Sequence, residues 1–227
     1  MIFRSLLVLL VSGSCFAQPT GWMGKPKPFK WIFGIGMNAV DDDGRALCQP
    51  FNVTNSWQYA LLPSRITVDR YINHGLAVGL EGNYNMYSAA KRVNDTVGLS
   101  GLFISVDLSA NYHFGEMIGR NWLDPYVKLG AGGTQRNAYP TNFVPTANLA
   151  LGVNLYAFRN FGFQLQTAAK FGLTPAPFTS NSNYLQHSVS IIYRVVPRDR
   201  RGSTFSTKKR YKWTGKKKRY KGGGGGK

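Results

Sequence analysis

The chain has 227 residues, 43% of them apolar, and a formal net charge of +18. That length holds one medium-sized domain. No run of ~18 apolar residues follows the N-terminus, which excludes a helical membrane protein. The charge is lopsided: residues 196–227 hold thirteen Lys/Arg against one Asp, so the terminal segment and not the body of the chain is the basic element.

The first segment, 1–17, reads as an export signal, with Arg4 as the basic start, an apolar stretch from Leu6 to Val11, and Ala17 at the cut before Gln18. A lipoprotein reading competes, because Ser12-Gly13-Ser14-Cys15 is a loose lipobox; the missing aliphatic residue at Ser12 favours simple cleavage after Ala17. Cleavage there would leave Cys48 alone, with no intrachain disulfide. Residues 18–28 form a Pro/Gly-rich lead-in.

From residue 29 the sequence alternates apolar with small or polar residues, in eight runs of roughly ten residues, the length of a tilted strand crossing a hydrocarbon core. Run 1 (29–39) puts Phe29, Trp31, Phe33, Ile35 and Met37 on one face, and Lys30, Gly34, Gly36 and Asn38 on the other. A polar loop with Asp41-Asp42-Asp43-Gly44 follows. Its clustered oxygens suit calcium but lack EF-hand spacing, so an acidic solvated loop is expected. Run 2 (64–71) is the weakest, disturbed by Pro63 and Arg70. Asn73-His74-Gly75 marks a tight turn. Run 3 (76–87) alternates Leu76, Val78, Leu80, Tyr84 and Met86 with Ala77, Gly79, Glu81, Asn83 and Asn85.

Asp95-Thr96-Val97, in the next loop, fits a short glycosylation site. Run 4 (102–113) sets Leu102, Ile104, Val106, Leu108, Ala110 and Tyr112 against Phe103, Ser105, Asp107, Ser109, Asn111 and His113. Run 5 goes from Pro125 to about Gln135, run 6 spans 146–156, run 7 spans 161–171 and run 8 spans 184–195. Connections after odd runs are mostly the longer ones, and aromatics (Phe29, Trp31, Tyr84, Tyr112, Phe161, Phe171, Tyr184, Tyr193) fall near strand ends, where interfacial girdles belong.

These features predict an all-β chain: an eight-stranded antiparallel up-and-down transmembrane β-barrel over 29–195, followed by a disordered basic tail over 196–227. A soluble sandwich would bury its apolar parity, whereas here the inward parity carries the charges. Outer-membrane lipid is the expected surroundings, and an even strand count places both barrel termini in the periplasm. Ile72-Asn73-His74-Gly75-Leu76-Ala77-Val78-Gly79-Leu80, Asp124-Pro125-Tyr126-Val127-Lys128-Leu129-Gly130-Ala131-Gly132 and Gln186-His187-Ser188-Val189-Ser190-Ile191-Ile192-Tyr193-Arg194 resemble the OmpA-like outer-membrane barrel family, particularly its small Bacteroidetes-type members. The resemblance implies the fold. Longer members continue into a peptidoglycan-binding domain, where this chain has its basic tail.

A barrel this narrow is filled by its own side chains. Lys30, Glu81, Asp107, Lys128, Lys170 and Arg194 are expected to form a charge-paired plug in its interior, because unpaired ions are costly in a partly dry lumen. The alternative is a narrow ion or small-solute path along the same charges. His74, His113 and His187 lack a Ser and Asp arranged as a triad, so no enzyme activity, cofactor or metal is expected. In the tail, Lys208-Lys209-Arg210-Tyr211-Lys212 recurs nine residues on as Lys217-Lys218-Arg219-Tyr220-Lys221, with Trp213 between them. Export argues against nucleic acid. Periplasmic polyanions remain: a partner protein within an envelope complex, peptidoglycan, or anionic lipid.

Overall fold

The computed structural model describes residues 29–42, 53–60, 63–137, 143–158, 160–174 and 183–196. The chain divides into two units, Met1–Pro197, which contains the barrel, and Arg198–Lys227, which lies outside the described residues. The expected export signal, Cys48 and the basic tail all fall outside them.

The strands are β1 (Trp31–Asp41), β2 (Trp57–Tyr59), β3 (Arg65–Asn73), β4 (Leu76–Tyr87), β5 (Gly101–His113), β6 (Leu123–Arg136), β7 (Phe143–Leu155), β8 (Phe161–Gly172) and β9 (Tyr184–Val195), with a one-turn helix α1 (Gly115–Ile118) between β5 and β6. From β3 to β9 each strand pairs antiparallel with the next. β1 closes the sheet against β9 along its full length, from Trp31↔Val195 to Asp41↔Leu185. Every edge but short β2 is thereby paired, which removes the aggregation hazard of an open sheet.

Nine strands make eight staves, because β2 and β3 share one. β3 pairs with β1 only as far as Gly36↔Arg65, and β2 takes over at Ala39↔Tyr59 to Asp41↔Trp57. Pro63 has no N–H to give the ladder. Ser64 bridges the gap instead: its N–H donates to the Gly36 carbonyl at 2.8 Å, and its Oγ accepts from Asn38 N–H at 3.0 Å. The weak periodicity of run 2 therefore reflects a real interruption.

The connection between β3 and β4 is the tightest. His74 (φ 46°) and Gly75 (φ 82°) both lie in the left-handed region, as a two-residue hairpin turn of right-twisted strands requires. This turn shares one end of the barrel with both strand termini, Trp31 and Val195; β1, β4, β6 and β8 finish at the other end.

The distribution of side chains is inverted relative to a water-soluble protein. Buried positions are dominated by Asn, Gln, Ser, Thr and charged residues, while Ile35, Leu80, Leu108, Leu129, Leu151, Phe163, Val189 and Ile191 lie 51–66% exposed on the outer wall. A continuous apolar exterior around a polar interior is stable when the exterior meets lipid. The outer wall is that of a transmembrane barrel. Trp31, Tyr84, Tyr112, Phe161, Phe171 and Tyr193 lie on it, but Phe29 and Tyr184, expected in the girdle, point inward and are buried. Tyr184 shares the inward parity of Gln186 and Ser188. Phe29 precedes β1 and packs into the lumen's end.

Candidate functional site

Alternation fixes which side chains fill the lumen, and the register fixes which of them meet. Thr67, Glu81, Asp107 and Gly132 occupy consecutive register positions from β3 to β6. Arg65 enters one step along β3 and spans the interior. Its Nε and Nη2 donate to the two Glu81 oxygens at 3.0 Å each, its Nη1 donates to Gln164 Oε1 and Ser190 Oγ at 2.9 Å each, and its Nη2 also reaches Gln166 Oε1 at 2.9 Å. A bidentate guanidinium–carboxylate pair is the strongest side-chain recognition available to the two groups.

Glu81 is shared. Lys128 Nζ donates to its Oε2 at 3.0 Å, Asn83 to its Oε1 at 3.1 Å and Gln166 to its Oε2 at 3.3 Å. Beside it, Asp107 Oδ2 accepts from Lys170 Nζ at 2.5 Å and Ser105 Oγ at 3.2 Å, and its Oδ1 accepts from Asn148 at 2.7 Å. Asp69 accepts from Asn111 at 2.7 Å. Three cations (Arg65, Lys128, Lys170) thus stand with three carboxylates (Glu81, Asp107, Asp69), all buried. The belt is electrically balanced, the condition under which buried ions persist.

Above and below this belt lie two apolar clusters, each set among further buried polar side chains. Toward the long loops, Val40, Tyr87, Val93, Phe103 and Tyr184 form one cluster, and Val93, fully buried, comes from the loop between β4 and β5. Asp42 fastens that end, accepting from Arg136 Nη1 at 2.8 Å and Tyr87 OH at 2.9 Å, while its carbonyl accepts from Asn94 N–H at 2.6 Å. At the terminal end Phe29, Ile32, Ala77, Tyr156 and Ile192 pack together, with Tyr71 against them. Burial pushes the pKa of the Tyr156 hydroxyl up. The Arg194 guanidinium lies 3.9 Å from the Tyr156 ring centroid.

Of the six residues expected in the interior network, Glu81, Asp107, Lys128 and Lys170 meet in the belt. Arg194 is buried but lies at the terminal end, against Tyr156. Lys30 is exposed, contrary to expectation. It precedes β1, its backbone N–H caps Val195 at 2.7 Å, and the inward space at its level is taken by Phe29 and Ile32. The acidic loop also departs from expectation, since Asp41 and Asp42 are buried and not solvated. The eleven tail residues from Lys208 to Lys221 expected to carry an interaction lie outside the described residues.

Arg65 is the largest omission, although its parity with Thr67 and Asp69 marks it as inward. His113 likewise faces inward, its Nδ1 2.8 Å from Asp124 Oδ2, and Asp124 Oδ1 accepts from Gly115 N–H at 3.0 Å. This pair fastens the α1 turn to the barrel. Among the described residues no three His, Cys, Asp or Glu side chains converge closely enough to hold a metal.

No family model and no curated protein matches the chain. Among solved structures it is similar to the N-terminal β-barrel domain of Pseudomonas aeruginosa OprF (16% identity, TM-score 0.44, covering 73% of this chain and 100% of that one). It is also similar to Neisserial surface protein A (13%, TM-score 0.48, 72% and 96%) and to the outer membrane protein OprG from Pseudomonas aeruginosa (14%, TM-score 0.44, 77% and 96%). The likeness brings no residue role with it.

Proposed function

We propose that this protein is a non-enzymatic, non-conducting barrel of the outer membrane that serves as a structural or accessory subunit of an envelope complex. The observation that carries the reading is the state of the lumen. A balanced belt of three cations and three carboxylates lies between two apolar side-chain clusters, one at each end. An eight-stranded barrel has no room for an aqueous path beside such a filling. What remains for function is the outer wall, the long loops and the basic tail.

The tail is the docking element in this reading. Two Lys-Lys-Arg-Tyr-Lys units nine residues apart present cations and aromatics together, suited to an acidic protein surface, peptidoglycan carboxylates or anionic head groups. The even number of staves brings both barrel termini to the end with the shorter turns, which supports a periplasmic tail and outward-facing loops.

Two measurements test the proposal. Purified protein in planar bilayers should be electrically silent; a steady conductance that vanishes on Glu81→Gln or Asp107→Asn would instead establish a narrow channel. Crosslinking in native envelopes should lose its partner bands when the tail Lys and Arg residues of both units are replaced by Gln in the otherwise intact chain. Unchanged bands would remove the tail from the function.

A further inference from the structure

The outer wall carries one irregularity. Among the described residues, the lipid-facing positions of the eight staves hold one exposed Lys, Arg, Asp or Glu side chain, Arg70 on β3. It lies opposite Trp31 on β1 and Val78 on β4, three residues before the hairpin turn, or about 10 Å along the strand. Trp31 beside it is of the residue type that seats between head groups and acyl chains, and this puts Arg70 at the same level of the terminal end. A groove of about 660 Å³ opens there, walled by Trp31, Val68, Val78, Leu80 and Leu108, with Arg70 at its edge.

The guanidinium is poised and unneutralised. Its centre lies 5.2 Å from the Trp31 ring centroid, and among the described residues no carboxylate forms an ion pair with it. Glu116, on the neighbouring α1 turn, is engaged by the Tyr71 hydroxyl at 2.6 Å. An unpaired cation on a lipid-facing wall is unfavourable unless a counter-charge comes from the surroundings. A guanidinium is suited to two-pronged hydrogen bonding with phosphate, and its apolar stem can lie along the wall.

We infer that Arg70 and the groove beside it form a binding site for one anionic phospholipid of the terminal-end leaflet, its phosphate on the Arg70 guanidinium and an acyl chain along Val78, Leu80 and Leu108. The site rests on the membrane reading of the barrel above. Its ligand chemistry is a phosphate ester joined to a long acyl chain, so neither free phosphate nor an uncharged lipid satisfies both halves.

The test is native mass spectrometry of the full chain, with the Lys and Arg residues of both tail units replaced by Gln in every protein compared so that only the Arg70 site is varied, released from micelles holding equal amounts of phosphatidylglycerol and a diacylglycerol with the same chains. Protein with the site intact should retain phosphatidylglycerol at least fivefold over diacylglycerol. Arg70→Ala should bring that ratio to within twofold of unity, Arg70→Lys should leave it intermediate, and Val78→Trp, which fills the groove and spares the charge, should also lower it. An Arg70→Ala protein that keeps the intact-site ratio overturns the site, as does an intact-site protein with no preference. A heat-dependent shift in gel mobility, recorded for each variant, separates the two levels: protein that binds without preference yet shows the shift refutes the site alone, and intact-site protein that never shows it refutes the membrane barrel as well.

Discussion

Glu81 and Asp107 stand directly opposite each other across the β4–β5 ladder, two carboxylates at a register position where like charges repel. The barrel resolves the conflict by surrounding them. Arg65 reaches Glu81 from β3, Lys128 from β6, and Lys170 crosses from β8 to Asp107. Adjacent strands alone would not tolerate this arrangement. It holds because closure brings β8 across the lumen from β5, so the ion pairs record the closed barrel and not a local hairpin.

Arg65 makes five side-chain hydrogen bonds, to Glu81, Gln164, Gln166 and Ser190. Arg65→Met should destabilise the barrel by about 3–5 kcal/mol, because it leaves Glu81 short of its main counter-charge. Arg65→Lys should recover less than half of that loss, since an ammonium cannot reproduce the fork. Urea unfolding in lipid vesicles, followed by tryptophan fluorescence, reads both.

Among the described residues the β4–β5 loop has one fully buried aliphatic side chain, Val93, with Leu99 partly buried against the same cluster. Val93 packs among Val40, Tyr87, Phe103 and Tyr184, and the neighbouring Asn94 N–H donates to the Asp42 carbonyl. Val93→Asp would bury an unpaired carboxylate and should drive the loop out of the mouth. Trypsin cleavage after Lys91 or Arg92 should then accelerate at least tenfold, the equivalent of about 1.4 kcal/mol in the opening equilibrium. Unchanged digestion on a time-course gel would mean that Val93 does not hold the loop.

The staves were readable because period-two alternation is a local property, and eight such runs with alternating loop lengths leave few topologies. Which charges meet was less readable. Glu81, Asp107, Lys128 and Lys170 could be placed inside by parity, but Arg65 sat at the edge of a run already weakened by Pro63. Lys30 misled for the opposite reason: parity continued through a residue that lies just outside the strand. Phe29 and Tyr184 show the same limit. Aromatic type and nearness to a strand end suggest a girdle, yet closing the lumen needs large apolar side chains at those same levels.

Gly79 leaves room for a buried bond. A Cβ at that position would lie 2.2 Å from Asp69 Oδ1 and 2.6 Å from Asn111 Nδ2, on top of the pair that meets at 2.7 Å. Gly79→Ala should cost about 1–3 kcal/mol through overpacking. Gly82, on the outer parity of the same strand, would meet nothing within 4 Å. Gly82→Ala should therefore change stability by less than about 0.5 kcal/mol in the same unfolding assay. Equal effects at the two positions would contradict the packing described.

The Asp107–Lys170 pair tests whether the belt works as a unit. Lys170→Met leaves Asp107 facing Glu81 without its own cation, and Asp107→Asn removes the carboxylate that the Lys170 ammonium pairs with, leaving it the Ser105 Oγ hydrogen bond at 2.9 Å and the Tyr184 ring. Each single replacement should be strongly destabilising. Combining them removes one charge of each sign and keeps the belt balanced, so the double variant should be more stable than the sum of the single losses predicts, with a coupling of about 1–3 kcal/mol. Strict additivity would mean that the two residues contribute by packing and not by charge. A coupling in the expected range would mean that Asp107 and Lys170 act on each other as charges, so that removing both together costs less than stranding either one.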